Sequence, residues 1–231
     1  MLIGTPPLVG MMAGTSTPKC LLLMHMDGSN GGTTFTDDVV ANSWAATGAT
    51  TSTTQTKFGA TSMKTDTADD YVQSGGNIVL PAGDFTFEYW HYITSDIGTS
   101  TGAGIANTTS GDNFACYYQA SGSANVASMF LYMNGFGNGI YATGVSLAQS
   151  TWHHVAWVMS GSTGTIYLNG TALSTTTDSG FPLGFNNVLR LGYQNGAARS
   201  RAYGYLDEMR LSNVARYTGN FTPSASAFIL D

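Results

Sequence analysis

Hydrophobic and polar positions alternate most clearly between Ser150 and Gly170. Trp152, His154, Ala156 and Val158 fall on one face of an extended segment, and His153, Val155, Trp157 and Met159 on the other. A period of two marks a strand. Both faces are largely apolar, so this strand is expected inside a sheet covered on both sides. A polar turn over Gly161–Gly164 follows, then a second strand, Thr165–Asn169, which stops at Asn169-Gly170. Two such runs joined by a short Gly/Ser turn predict a β-hairpin.

Similar runs recur along the chain. Cys20–Met26, Phe58–Lys64, Tyr71–Ser74, Phe85–Ile93, Asp112–Gln119, Ala127–Asn134, Gly139–Thr143, Asn187–Tyr193 and Tyr203–Leu211 read as strands, with one helical turn at Asn213–Tyr217. In Phe85–Ile93 the core face is Phe85, Phe87, Tyr89, His91 and Ile93. The opposite set, Thr86, Glu88, Trp90 and Tyr92, suits a face that is open or meets another protein. In the last strand, alternation puts Tyr205, Asp207, Met209 and Leu211 on one side. Turn signals return about every 8–12 residues and no 3.6-residue apolar period persists. The prediction is all-β: an antiparallel two-sheet jelly-roll sandwich over residues 19–231, preceded by an extended arm, residues 1–18.

Composition adds exclusions. Only 10 % of the 231 residues are charged, 42 % are apolar and the formal charge is −6. Enough apolar residues are present to fill a core, which argues against wholesale disorder. No basic cluster offsets the negative charge, so nucleic acid is not the expected partner. No apolar run approaches the roughly 20 residues of a membrane span, and the N-terminus lacks the basic region of a signal peptide. Cys20 and Cys116 are expected as buried free thiols, since no cysteine framework accompanies them; the alternative is a disulfide between them. The arm carries Leu2, Ile3, Leu8, Val9, Met11 and Met12. At about 25 cal/mol per Å² of buried apolar surface, docking these on a neighbouring subunit contributes several kcal/mol. They are expected as assembly contacts; the alternative is a disordered leader.

The hairpin, W-H-H-V-A then T-I-Y-L-N-G, resembles the central hairpin of laminin-G-like domains in the concanavalin A-like lectin/glucanase superfamily. Four further segments are similar and in order: Cys20–Gly28 (CLLLMHMDG), Lys57–Met63 (KFGATSM), Asp84–Trp90 (DFTFEYW) and Tyr203–Pro223, ending ARYTGNFTP. The resemblance covers residues 20–224 and implies the jelly-roll fold. Fold of this kind does not fix function.

Several residues are candidates for chemistry. Asp207, placed with apolar neighbours, needs a partner. Related jelly rolls imply a structural calcium between Asp207, Asp27 and carbonyls of the Asp27–Gly32 turn, a mixed oxygen shell that calcium tolerates. The alternatives are that Asp207 caps backbone N–H groups or meets His25. His153 and His154 point to opposite faces of their strand and cannot chelate one ion. Glycoside hydrolysis needs two carboxylates about 5–10 Å apart. The superfamily's glucanases carry a Glu-x-Asp-x-x-Glu cluster, which this chain lacks; Glu88 stands alone, and Asp207 and Glu208, being adjacent, are expected to diverge. Trp90, Tyr92, Tyr132 and Tyr167 have the parity to line a glycan-binding face rimmed by loops 134–138 and 194–196. The alternative is that they pack a sheet or a subunit interface.

Stand-alone domains of this type, with a short apolar leader, low charge and this ending, resemble bacteriophage structural proteins. The implied role is a non-enzymatic virion protein, a capsid decoration, fibre or tail-associated subunit. It would assemble in the host cytoplasm and be exposed on the particle. Its partners would be other virion proteins, further copies of itself and host-surface glycans. No cofactor beyond the candidate calcium is implied. The alternative is a free-standing carbohydrate-binding lectin, and the third reading is a glycoside hydrolase.

Overall fold

The computed structural model describes residues 20–40, 43–67, 69–99, 102–109, 114–133, 139–177, 184–193 and 201–231. Alternating sequence there yields strands and no helix, so the turn expected at Asn213–Tyr217 is irregular. In order these are β1 (Cys20–Met24), β2 (Thr34–Phe35), β3 (Trp44–Thr47), β4 (Thr50–Ser52), β5 (Ser62–Thr65) and β6 (Tyr71–Ser74). Next come β7 (Ile78–Leu80), β8 (Phe85–Ile93), β9 (Ala103–Thr108), β10 (Phe114–Ser123), β11 (Val126–Met133) and β12 (Gly139–Ser146). The last are β13 (Trp152–Ser160), β14 (Thr163–Leu168), β15 (Thr171–Thr177), β16 (Phe185–Asn187), β17 (Leu189–Leu191) and β18 (Gly204–Ser212).

Two large antiparallel sheets form the sandwich. Sheet I runs β15-β14-β13-β8-β18-β5-β4, with β1 also paired to β18; sheet II runs β12-β11-β10-β9-β17-β6-β3-β2. The predicted jelly-roll architecture is therefore what the chain adopts. Phe85, Phe87, Tyr89, His91 and Ile93 face inward as expected, with Val155, Trp157 and Met159 of β13. Sheet II contributes Phe114, Cys116, Tyr118, Met129 and Leu131 to the same core. Across the middle, Trp157 Nε1–H donates to Tyr89 Oη at 3.2 Å, and Tyr89 and Tyr118 hydroxyls lie 3.0 Å apart. This satisfies three buried polar groups and ties the two sheets together. Cys20 and Cys116 are both buried free thiols.

Three details depart from the sequence expectation. The β13–β14 turn is the two-residue Gly161-Ser162, since Ser160 already pairs with Thr163. Asn169-Gly170, both at positive φ, does not end the sheet but turns the chain into β15. That strand, TALSTTT, lacks the large apolar residues that marked the others. The third departure is a bulge in β18. Asp207 pairs with Trp90 while Arg210 pairs with Glu88, and Glu208 at the bulge has φ 51°. The extra residue reverses parity. Leu206, Met209 and Leu211 face the core, whereas Asp207 does not share their side.

After β18 the chain, from Asn213 onward, runs back over the outer face of sheet I. Tyr217 and Phe221 pack on Ala156, Val158 and Tyr167, and Phe228 packs on Cys20, Leu23 and Trp90. The face read as open, or meeting another protein, is covered by the protein's own C-terminal segment.

Candidate functional site

Beneath that segment lies a closed ion cluster. Glu88 is fully buried, and its Oε1 accepts from Arg210 Nε and Nη2 at 2.9 and 2.7 Å. Its Oε2 accepts from the Tyr217 hydroxyl at 2.8 Å and lies 3.2 Å from His154 Nε2. Burial alone would raise the Glu88 pKa, but His154, Arg210 and Tyr217 together hold it below the usual carboxylate range. Arg216 grips Asp231 bidentately at 2.7 and 2.8 Å. Glu88 is the one acid of its strand, as expected, and its cationic and hydroxyl partners come from β13, β18 and the tail, which strand-by-strand reading does not bring together. Every strong acceptor direction of this carboxylate is taken, and tail and strands shut it from solvent.

Asp207 and Asp27 fasten one loop. Asp207 Oδ2 accepts the N–H groups of Lys57 and Phe58 at 2.8 and 3.2 Å, and Oδ1 that of Glu208 at 3.0 Å. Asp27 Oδ1 accepts those of Ala60 and Thr61 at 2.7 and 3.1 Å. Burial pushes the Asp207 pKa up to about 8, against the pull of these N–H groups. Backbone capping, the alternative reading of Asp207, is what the geometry provides; His25 meets Glu208 instead, at 2.7 Å. Asp207 and Glu208 do not diverge, because the bulge keeps Glu208 on the outer side, where its Oε2 accepts the Phe228 N–H at 2.7 Å. Among the described residues no three His, Cys, Asp or Glu side chains gather as metal ligands.

The four aromatic candidates are not brought together. Trp90 and Tyr167 are buried on sheet I, Trp90 under Lys57 and edge-on to Phe58, Tyr167 against Tyr217 and Phe221. Tyr92, half-buried, meets Trp152 and Tyr205. Tyr132 belongs to sheet II. Loops 134–138 and 194–196, like the arm residues Leu2, Ile3, Leu8, Val9, Met11 and Met12, lie outside the described residues. His153 and His154 do diverge: His153 Nε2 meets Ala148 O at 2.9 Å, while His154 sits among Trp90, Tyr217, Phe221 and Phe228.

Around Tyr132, however, sheet II carries a ladder of rings. Tyr117 of β10, Phe130 and Tyr132 of β11 and Tyr141 of β12 alternate with core residues and so share the outer face. Centroids are 5.3 Å apart for Tyr117–Phe130, 5.7 Å for Phe130–Tyr132 and 6.1 Å for Phe130–Tyr141, with interplanar angles of 23°, 11° and 24°. Tyr132 lies opposite Gly139, where a Cβ would come within 2.7 Å of its ring, so only glycine lets the ring lie over that strand. The same cross-strand row continues through Ala115 and Asn107 to Arg190 and Gln73. Arg190 Nε donates to Gln73 Oε1 at 2.8 Å, and its guanidinium sits 4.6 Å over Tyr71. Three of the four rings escaped the sequence reading. The signal available was their matching parity on consecutive strands.

Comparison with known proteins gives a consistent picture. A family model described as the concanavalin A-like lectin/glucanases superfamily matches residues 66–218, more than half of the chain. No curated protein matches the sequence. Among solved structures, domain 4 of an extracellular arabinanase from Geobacillus stearothermophilus, in complex with arabinotriose, has a TM-score of 0.63 at 14 % identity, covering 86 % of this chain and 94 % of that one. A heptameric SAP-like pentraxin from Limulus polyphemus has 0.53 at 16 %, covering 67 % and 74 %. The Trypanosoma rangeli sialidase has 0.56 at 12 %, covering 85 % of this chain but only 30 % of that protein. At such identities the likeness is one of fold.

Proposed function

The chain belongs to the concanavalin A-like lectin/glucanase superfamily, and from that premise we propose a non-catalytic binding protein that contacts glycans through the outer face of sheet II. The observation that carries this reading is the accessible part of the ring ladder, half-buried Phe130 and Tyr132 with Tyr141 53 % exposed, beside half-buried Arg190 and Gln73. Tyr117, which stacks on Phe130, and Asn107 are buried on the same face. Sugars present apolar C–H faces to flat rings and hydroxyls to amide and guanidinium groups. A fold-mate, the arabinanase domain, is described in complex with an oligosaccharide.

The non-catalytic half rests on where the acids stand. No strand of sheet II contains Asp or Glu. In sheet I, Glu88 is closed inside an ion cluster and Asp207 holds backbone N–H groups. A glycosidase would need two acids flanking a bound sugar, and this ladder has none beside it on its strands.

The setting proposed is the surface of a bacteriophage particle, with the protein a decoration, fibre or tail-associated subunit moored through residues 1–18. That placement rests on the sequence resemblance of the leader and ending. A free-standing lectin would use the same ladder without the mooring. Glycan-array binding followed by titration tests the ladder: Tyr132→Ala or Phe130→Ala should raise Kd about tenfold or more, roughly 1.4 kcal/mol, with the fold intact. Equal binding by these variants, or turnover of any polysaccharide, overturns the reading.

A further inference from the structure

Between Asp112 and Asp178 the sequence contains no Asp, Glu, Lys or Arg. Topology gathers that stretch at one end of the sandwich. β10, β11 and β12 are the last three strands of sheet II, β13, β14 and β15 the last three of sheet I, and β12 lies against β15. The formal charge of −6 is therefore carried by the rest of the chain.

The same end exposes two sheet edges. Among the described residues β12 pairs with β11 alone and β15 with β14 alone. Natural edge strands are usually shielded by charges or proline. These two, GIYATGVS and TALSTTT, have neither. A groove of about 420 Å³ runs between them, lined by Tyr141, Val145, Leu168 and Leu173. Tyr141 and Leu173 are among the few large apolar side chains left exposed, at 53 % and 37 %.

We propose that this neutral end is an interface between two copies of the chain, paired antiparallel through their β15 edges so that each copy closes the other's Tyr141–Leu173 groove. A two-fold contact sets one patch against itself. On an acidic protein such a contact brings like charges together wherever the patch is charged; here it brings none. Interface cores are depleted of charge and rich in tyrosine, as this end is. Antiparallel β15 strands would set Thr and Ser side chains opposite one another, pairs that hydrogen-bond across strands. The contact shares Tyr141 with the ring ladder, whereas β15, which the test below alters, carries none of the ladder rings.

Sedimentation of the full chain from about 1 to 100 µM should give a concentration-dependent dimer, its midpoint reporting the dissociation constant. Leu173→Lys with Thr175→Lys should weaken it about a hundredfold or more through like-charge contact across the two-fold. The charge-reversed Leu173→Glu with Thr175→Glu should do the same. Mixing the two variants should restore a dimer, which a folding defect could not do. A wild-type chain that stays monomeric at the upper concentration overturns the proposal. So does a dimer that survives both variants, or one abolished only by removing residues 1–18.

Discussion

Two buried histidines weaken this protein in acid, and one buried aspartate works against them. Burial pushes the His91 pKa down to about 3, and the neighbouring His153 ring acts in the same direction; burial also lowers His153. In the unfolded chain both would titrate near 6.5. Below that pH the unfolded state binds more protons, so stability falls as pH falls. For His91 alone the loss between pH 7 and pH 5 is about 2 kcal/mol. Glu88, held low in the fold, adds a further loss as pH drops below the ordinary glutamate range. Asp207, raised to about 8 in the fold, takes up a proton on folding over the same window and opposes this loss. The His91 share is therefore read as a difference: from pH 7 to pH 5 the melting temperature of His91→Phe should gain on that of the wild type, and parallel profiles would refute the assignment.

At the scale of elements, the C-terminal segment is the piece that finishes sheet I. It is pinned to the Asn169-Gly170 turn, where Phe221 N–H donates to Gly170 O at 2.9 Å. Gly170 has φ 80°, and a Cβ there would come within 1.8 Å of Phe221 O. Gly170→Ala must therefore both strain the backbone and lift the tail, and should cost about 2–4 kcal/mol. Gly219→Ala, in the same segment but facing open space, should stay within about 0.5 kcal/mol. Denaturant unfolding of the two variants gives the comparison, and equal losses would mean that the pin at Gly170 does not hold the tail. The ending ARYTGNFTP thus has a structural reason: Arg216 N–H, Tyr217 and Phe221 fasten the tail to Thr86, Glu88 and Gly170, and the Arg216 side chain ties the tail to its own end at Asp231.

For the whole molecule, the few acids serve as loop anchors. Asp27 and Asp207 hold residues 57–61, Asp37 accepts from Leu23 and Val39, Asp70 from Asp66 and Thr67, and Asp96 from Gly98 and Asn125. A carboxylate accepting backbone N–H groups needs no cation to be satisfied. Chelation with EDTA should accordingly leave the melting temperature within about 1 °C, since about 1 kcal/mol shifts Tm by a few degrees in a domain of this size. A larger drop would put calcium back at Asp27 and Asp207.

The period-two pattern by itself determined most of the strands, the two-sheet class and the inward faces of β8 and β13, because side-chain direction along a strand follows from local geometry. It also carried Tyr132 as a candidate and the absence of an acidic cluster. Only tertiary structure decided the rest. A single residue at left-handed φ in β18 moved Asp207 off the core side, which alternation cannot register. The polar strand β15 pairs because β14 is beside it, through backbone groups that every sequence possesses. Trp90 and Tyr167 look like surface aromatics until a tail about fifty residues downstream of Tyr167 and farther still from Trp90 folds over them. Contacts between residues far apart in sequence leave no periodic trace, so burial and the pairing of Glu88 with Arg210 and Tyr217 had to come from the fold.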